Sequence, residues 1–79
     1  MTIIERLQPI FRDVFDDSNL DITGGMSPKD YPSWDSVGTV RLVLSVEQEF
    51  GIRLTTDEVA GIRNVADLVK SIENALHKV

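Results

Sequence analysis

The chain contains no cysteine and a single histidine, His77, so neither a disulfide framework nor a cysteine-based metal site is open to it. Lacking a thiol of its own, it has to import any sulfur chemistry as an attached group. The absence of cysteine also fits a reducing compartment. Basic residues are few: 8 Lys and Arg stand against 13 Asp and Glu, a formal net charge of −5. That excludes the basic stripe with which nucleic-acid binders neutralise phosphates. It also disfavours attraction to an anionic membrane and makes basic surfaces the electrostatic complement. No apolar run approaches the roughly 20 residues of a membrane span. The opening MTIIERLQPIF has Glu5 early and no basic stretch ahead of an apolar one, so it lacks the pattern of a signal peptide. What remains, at 79 residues, is one acidic domain spanning 1–79, near the lower size at which a single core holds itself together. It is expected to be soluble, cytoplasmic and monomeric.

Helical periodicity is abundant. Thr2 and Glu5 have capping-box spacing, and Ile3, Ile4, Leu7, Ile10, Phe11, Val14 and Phe15 follow at helical intervals. A first helix is expected over about residues 3–16, kinked near Pro9 or frayed before it. From Asp16 to Trp34 the periodicity stops. Asn19, Gly24, Gly25, Pro28 and Pro32 are turn formers there, while Leu20, Ile22, Met26, Tyr31 and Trp34 mark a packed loop rather than a slack linker. Asp17, Asn19 and Asp21 alternate like a calcium loop, but Ile22 stands where glycine is needed and Pro28 where the bidentate glutamate belongs, so calcium is set aside. A second helix runs from about Ser36 to Phe50, closed by Gly51. Thr55 and Glu58 repeat the capping box and open a short helix that ends near Gly61. Asn64 caps a last helix with Val65, Leu68, Val69, Ile72, Ala75 and Leu76 on one face. No stretch alternates like a strand. The expected fold is all-α: a small four-helix bundle of three longer helices and one short one, with a long first loop.

The second helix holds the chemistry. At about 100° per residue, Thr39, Leu42, Val43, Val46 and Phe50 form its core face, with Val40 at the margin. Val37 and Leu44 fall outside that arc, beside Arg41 and Gln48, either as scattered surface apolar residues or as a contact patch. At the helix head, Asp35 or Ser36 serves as the cap. Ser36 as a nucleophile would need a base, and His77, in the last helical turn, is a poor candidate. As the site of a phosphate ester Ser36 makes physical sense, because unpaired N–H groups and the positive end of the helix dipole receive the phosphate there. Asp35 is then placed to help hold a metal ion for an enzyme transferring the group.

Asp35-Ser36-Val37, then Val40, Leu42-Val43 and Glu47-Gln48-Glu49-Phe50-Gly51-Ile52, resembles the acyl carrier protein family, whose signature is Asp-Ser-Leu running into Glu-Glu-Phe-Gly. Ile62 to Val69 is similar to that family's entry into its last helix, so the resemblance covers nearly the whole chain. It implies that Ser36 carries a 4′-phosphopantetheine, moved from coenzyme A by a phosphopantetheinyl transferase with the help of Asp35. The arm's thiol would carry acyl or aminoacyl cargo as thioesters to ligases, synthases and transferases, so the chain is expected to be a carrier and not an enzyme.

Three departures qualify the resemblance, and the first is modest: Val37 replaces the family's usual leucine after the serine and keeps an apolar contact. Gly38 and Arg41 stand where carriers of fatty acid synthesis tend to have acidic residues that basic partners read. A positive charge there opposes such docking, which points to a specialised carrier that meets its partners through Val37, Arg41 and Leu44. Gly38 also costs the helix roughly 1 kcal/mol relative to alanine, and either loosens its first turn or is neutral. The competing readings are a peptidyl or aminoacyl carrier loaded by an adenylating ligase, and an unmodified helical adaptor. Trp34 either anchors the loop in the core or flanks the arm. Met26 and Tyr31 are expected to be loop anchors.

Overall fold

The computed structural model describes residues 2–77. Among them are four helices and no strand: α1 (Ile3–Val14), α2 (Ser36–Phe50), α3 (Thr56–Ala60) and α4 (Val65–Leu76). This is the expected all-α bundle of three longer helices and one short one.

Each helix starts on a side-chain cap that supplies a partner to an otherwise orphaned N–H. Thr2 and Glu5 close a reciprocal capping box on α1, and Thr55 and Glu58 close another on α3. Asn64 accepts the Asp67 N–H at 2.8 Å to start α4. Helix α1 runs unbroken through Pro9, which is exposed, rather than fraying before it. It stops short of the expected residue 16 because Phe15 is its cap and Asp16 turns left-handed at φ 51°. Gly51, at φ 65°, ends α2 as its position implied, in a left-handed conformation that glycine adopts without steric cost.

The core is built from Leu7, Phe11 and Val14 of α1, Leu42, Val46 and Phe50 of α2, and Val65, Leu68 and Ile72 of α4. Leu7, Phe11 and Val14 are four and three residues apart, so one stripe of α1 is buried along its whole length. Arg6 lays its guanidinium 4.1 Å from the centroid of the Phe50 ring and pairs with Glu49 at 3.4 Å, tying α1 to the far end of α2. Leu76, expected on the buried face of α4, is exposed.

The loop between α1 and α2 is part of this core. Leu20, Ile22, Met26 and Trp34 are buried. Gln8 donates to the Leu20 carbonyl and accepts the Ile22 N–H, while Arg12 donates to Leu20 O at 2.8 Å and pairs with Asp21 at 2.7 Å. The far side of the loop serves α4: the Met26 and Gly24 carbonyls accept the Val65 and Ala66 N–H groups at 2.9 Å. Trp34, 2% exposed, meets Phe11 edge-on with ring centroids 5.5 Å apart, so it anchors the loop. The residues that resembled calcium ligands are engaged in the loop itself. Asp17 accepts from Asn19 N–H and the Tyr31 hydroxyl, and Asp21 is paired with Arg12.

Tyr31, the only tyrosine, stacks edge-on against Phe15 at 5.3 Å and donates its hydroxyl to Asp17 Oδ2 at 3.0 Å. Partial burial, and then the bond to Asp17 and its charge, hold the phenol above its ordinary value of about 10, with Ser33 opposing. Because the folded value lies above the unfolded one, the neutral phenol's contribution is complete below about pH 10 and is lost as pH rises through the folded value. An alkaline absorbance titration should show tyrosinate forming at higher pH than in the unfolded chain, and Tyr31→Phe should remove that part of the alkaline loss of stability. Coincident titrations of folded and unfolded chain would show that the Asp17 contact does not form in solution.

Candidate functional site

The head of α2 settles which residue caps it. Asp35, in extended conformation, accepts the Gly38 N–H on Oδ1 at 2.8 Å, and its carbonyl accepts both the Thr39 N–H at 2.8 Å and the Thr39 hydroxyl at 2.9 Å. Ser36 is therefore the first helical residue, and the capping duty falls elsewhere. Its side chain is exposed and makes no hydrogen bond among the described residues, so no general base is bonded to its hydroxyl. His77 instead sits at the end of α4 as its C-cap.

Three features make this hydroxyl a suitable anchor for a phosphate ester. The N–H groups of Ser36 and Val37, in the first turn, have no backbone or side-chain partner among the described residues. No acidic side chain belongs to that first turn, and the Asp35 carboxylate that caps it engages the Gly38 N–H. The loop that precedes it is anchored by the buried Trp34, so the hydroxyl projects from a packed base. Beside it lies a shallow hollow lined by Phe15, Ser33, Asp35, Val37, Gly38 and Arg41.

The core face of α2 is as its periodicity implied for Leu42, Val43, Val46 and Phe50, with Thr39 half-buried. Gly38 is also buried, so the first turn is packed rather than loosened. Val40, placed by periodicity at the core margin, faces outward instead. With Val37 67%, Val40 56% and Leu44 56% exposed, and Arg41 exposed between them, residues 37, 40, 41 and 44 form one stripe opposite the core. The structure thus brings Val37, Arg41 and Leu44 together and adds Val40, a member that the spacing i, i+3, i+7 could have revealed. A shallow, mainly apolar groove lies on the α3 side of this stripe, lined by Val40, Val43, Leu44, Leu54, Thr56 and Val59. Leu54 and Val59 were not singled out in the sequence, because α3 and the segment before it are too short to show periodicity.

Comparison with known proteins supplies independent findings. A family model described as "Phosphopantetheine attachment site" matches residues 34–72, which include Asp35, Ser36 and the exposed stripe. The acyl carrier proteins of Sinorhizobium fredii and Rhizobium meliloti are each 37% identical over 73 residues, covering 92% of this chain and 94% of each relative. The solution NMR structure of the holo acyl carrier protein from Geobacter metallireducens superposes with a TM-score of 0.90 at 33% identity, covering 99% of this chain and 90% of that one.

The division between a capping residue and a free hydroxyl has a direct test in stability. Asp35→Ala should lower the unfolding free energy by about 1 kcal/mol, as loss of an N-cap does. Ser36→Ala should change it by less than about 0.5 kcal/mol, because no contact is removed. Urea denaturation of both variants measures the difference, and a larger loss in Ser36→Ala would mean that the serine shares in the cap.

Proposed function

Because the chain belongs to the acyl carrier protein family, we propose that residues 1–79 form a single carrier domain whose 4′-phosphopantetheine arm is esterified to Ser36. The observation that carries this reading is the exposed, unbonded Ser36 hydroxyl at the first position of α2, with Asp35 alone meeting the cap. The residues present fit the group. The Ser36 and Val37 N–H groups have no other partner among the described residues, and the helix dipole favours an anion at this end. When attached, the arm supplies the thiol that the chain lacks, on which acyl cargo is held as a thioester.

The chain's own residues hold and present, as those of a carrier rather than a catalyst. Ser36 fixes the attachment point at a helix end anchored by Trp34, which is buried one residue before Asp35. Asp35 keeps Oδ1 on the Gly38 N–H and has Oδ2 without a partner among the described residues, open to a metal ion brought by the phosphopantetheinyl transferase. Val37, Arg41 and Leu44 form the face that partner ligases, synthases and transferases meet. Tethering raises the effective concentration of cargo at whichever of them docks. Arg41 on that face supports a dedicated pathway over general fatty acid synthesis, since a positive charge repels a basic docking site. Among the described residues no helix is long and apolar enough to cross a membrane. A reducing cytoplasm suits an arm whose thiol has to stay free.

The experiment is the intact mass after incubation with coenzyme A and a broad-specificity phosphopantetheinyl transferase, with Ser36→Ala alongside. The expected result is a gain of one phosphopantetheine in the natural chain and none in the variant. A gain in Ser36→Ala would move the attachment elsewhere, and no gain with any transferase in a folded sample would favour the unmodified adaptor. Subsequent loading by an amino-acid-adenylating ligase, rather than an acyl ligase, would identify the aminoacyl carrier.

A further inference from the structure

The carboxylates of this acidic chain are unevenly distributed. Acidic residues number 13 of 79, yet between Ser36 and Val46 there is neither Asp nor Glu, and Arg41 is the one charge. The carboxylates at the two ends of α2 are engaged away from its outward face. Asp35 caps the helix through the Gly38 N–H, Glu47 accepts the Leu54 N–H at 2.9 Å, and Glu49 pairs with Arg6 at 3.4 Å. The stripe of Val37, Val40, Arg41 and Leu44 is therefore apolar, with a positive charge and no negative one. A second cation stands beside it. Arg53, exposed just beyond Gly51, lines the same shallow hollow as Leu44 and Gln48. The arginines of α1 find acidic partners, Arg6 in Glu49 and Arg12 in Asp21. Those of the stripe do not. Asp16 and Asp35 share a hollow with Arg41, and Glu47 shares one with Arg53, but neither guanidinium makes an ion pair or hydrogen bond among the described residues.

We infer that the enzyme served by this carrier docks through an apolar patch bordered by carboxylates, the reverse of the basic surface that reads an acidic carrier. The inference rests on the carrier reading and adds to it the chemistry of the partner. Val37, Val40 and Leu44 supply the apolar contact, and Arg41 and Arg53 flank it. A guanidinium is a planar, two-pronged donor that matches a carboxylate. Because Arg41 and Arg53 hold no partner in the free chain, they give up no internal bond on docking. Charge pairs at the edge of an apolar contact set partner choice and orientation more than tightness. Local sign outweighs the total here, since charges farther apart than about 8 Å are largely screened at physiological salt. At a net −5 the rest of the chain repels an acidic protein, so this face is the orientation in which such a partner is received. The same net charge opposes an anionic membrane as occupant, because lipid recognition takes clusters of about 4–8 basic residues.

The test titrates two synthetic amphipathic helical peptides into the isotope-labelled chain and follows its backbone amides by NMR. Both peptides carry the same leucine face, one bordered by glutamates and the other by lysines. The glutamate peptide should shift the amides of Val37, Val40, Arg41, Leu44 and Arg53, and bind more weakly as salt is added. Arg41→Glu/Arg53→Glu, both exposed and so without effect on folding, should lose about 5-fold or more in affinity for it and gain as much for the lysine peptide. Lys29→Glu/Lys70→Glu makes the same change in net charge at exposed positions outside the stripe, and should stay within about two-fold of the natural chain. In turnover, a phosphopantetheinyl transferase with a basic docking surface should take Arg41→Glu/Arg53→Glu with KM lower by about 5-fold or more and kcat within about two-fold. The inference is overturned if the lysine peptide occupies the natural stripe as tightly as the glutamate peptide, if neither shifts it, or if Lys29→Glu/Lys70→Glu loses as much as the stripe variant. Mixed vesicles of phosphatidylglycerol and phosphatidylcholine that shift the same amides more strongly than the glutamate peptide would overturn it in favour of a lipid surface. Peptide binding does not involve Ser36. A chain that accepts no arm from any transferase therefore loses the attachment reading, while the charge preference of the stripe is decided separately by the peptides.

Discussion

The packing of Trp34 against Phe11 is the contact from which the geometry of the α2 head follows. A loop of some twenty residues has many ways to deliver its end to a helix, and each freely jointed residue adds conformational entropy to be overcome. Burying an indole at the last loop position but one removes most of that freedom. The next residue, Asp35, is thereby delivered within 2.8 Å of the Gly38 N–H, and Ser36 begins the helix with nothing left to hold. The indole N–H has no hydrogen-bond partner among the described residues, so the side chain is held by apolar packing, beside the backbone bond from Trp34 N–H to Tyr31 O at 2.9 Å.

The loop does more than connect. On one side Gln8 and Arg12 of α1 satisfy its backbone at Leu20 and Ile22, and on the other its carbonyls at Gly24 and Met26 cap the first N–H groups of α4. These bonds make an irregular segment as determined as a helix, because buried backbone groups that lack secondary structure still find partners. In a chain with no disulfide and little core to draw on, such a strap replaces a covalent staple.

Much of this was legible in the sequence, for a physical reason. Caps and helical stripes are local, and Thr2/Glu5, Thr55/Glu58, Asn64 and Gly51 each mark a boundary that the structure keeps. The Asp35-Ser36 pair was recognisable as a helix head, but which of the two capped it depended on how the loop arrived. Val40 was misplaced because periodicity gives an angle around the helix axis and not the position of the neighbouring elements. Gly38 was the least legible position. Its cost to helix propensity is visible in one dimension, whereas the Phe15 ring that a Cβ there would meet comes from 23 residues earlier in the chain.

The separation of Asp35 from Ser36 has an evolutionary consequence. A hydroxyl with no contact in the fold is under no selection for stability, so the chain crosses no folding threshold if it is lost. Descendants that exchange this serine for alanine would keep the same bundle and the same outward stripe, ready for use as binding surfaces alone. The fold thus leaves the residue proposed to carry the arm free to be discarded, and only selection for that attachment would retain it.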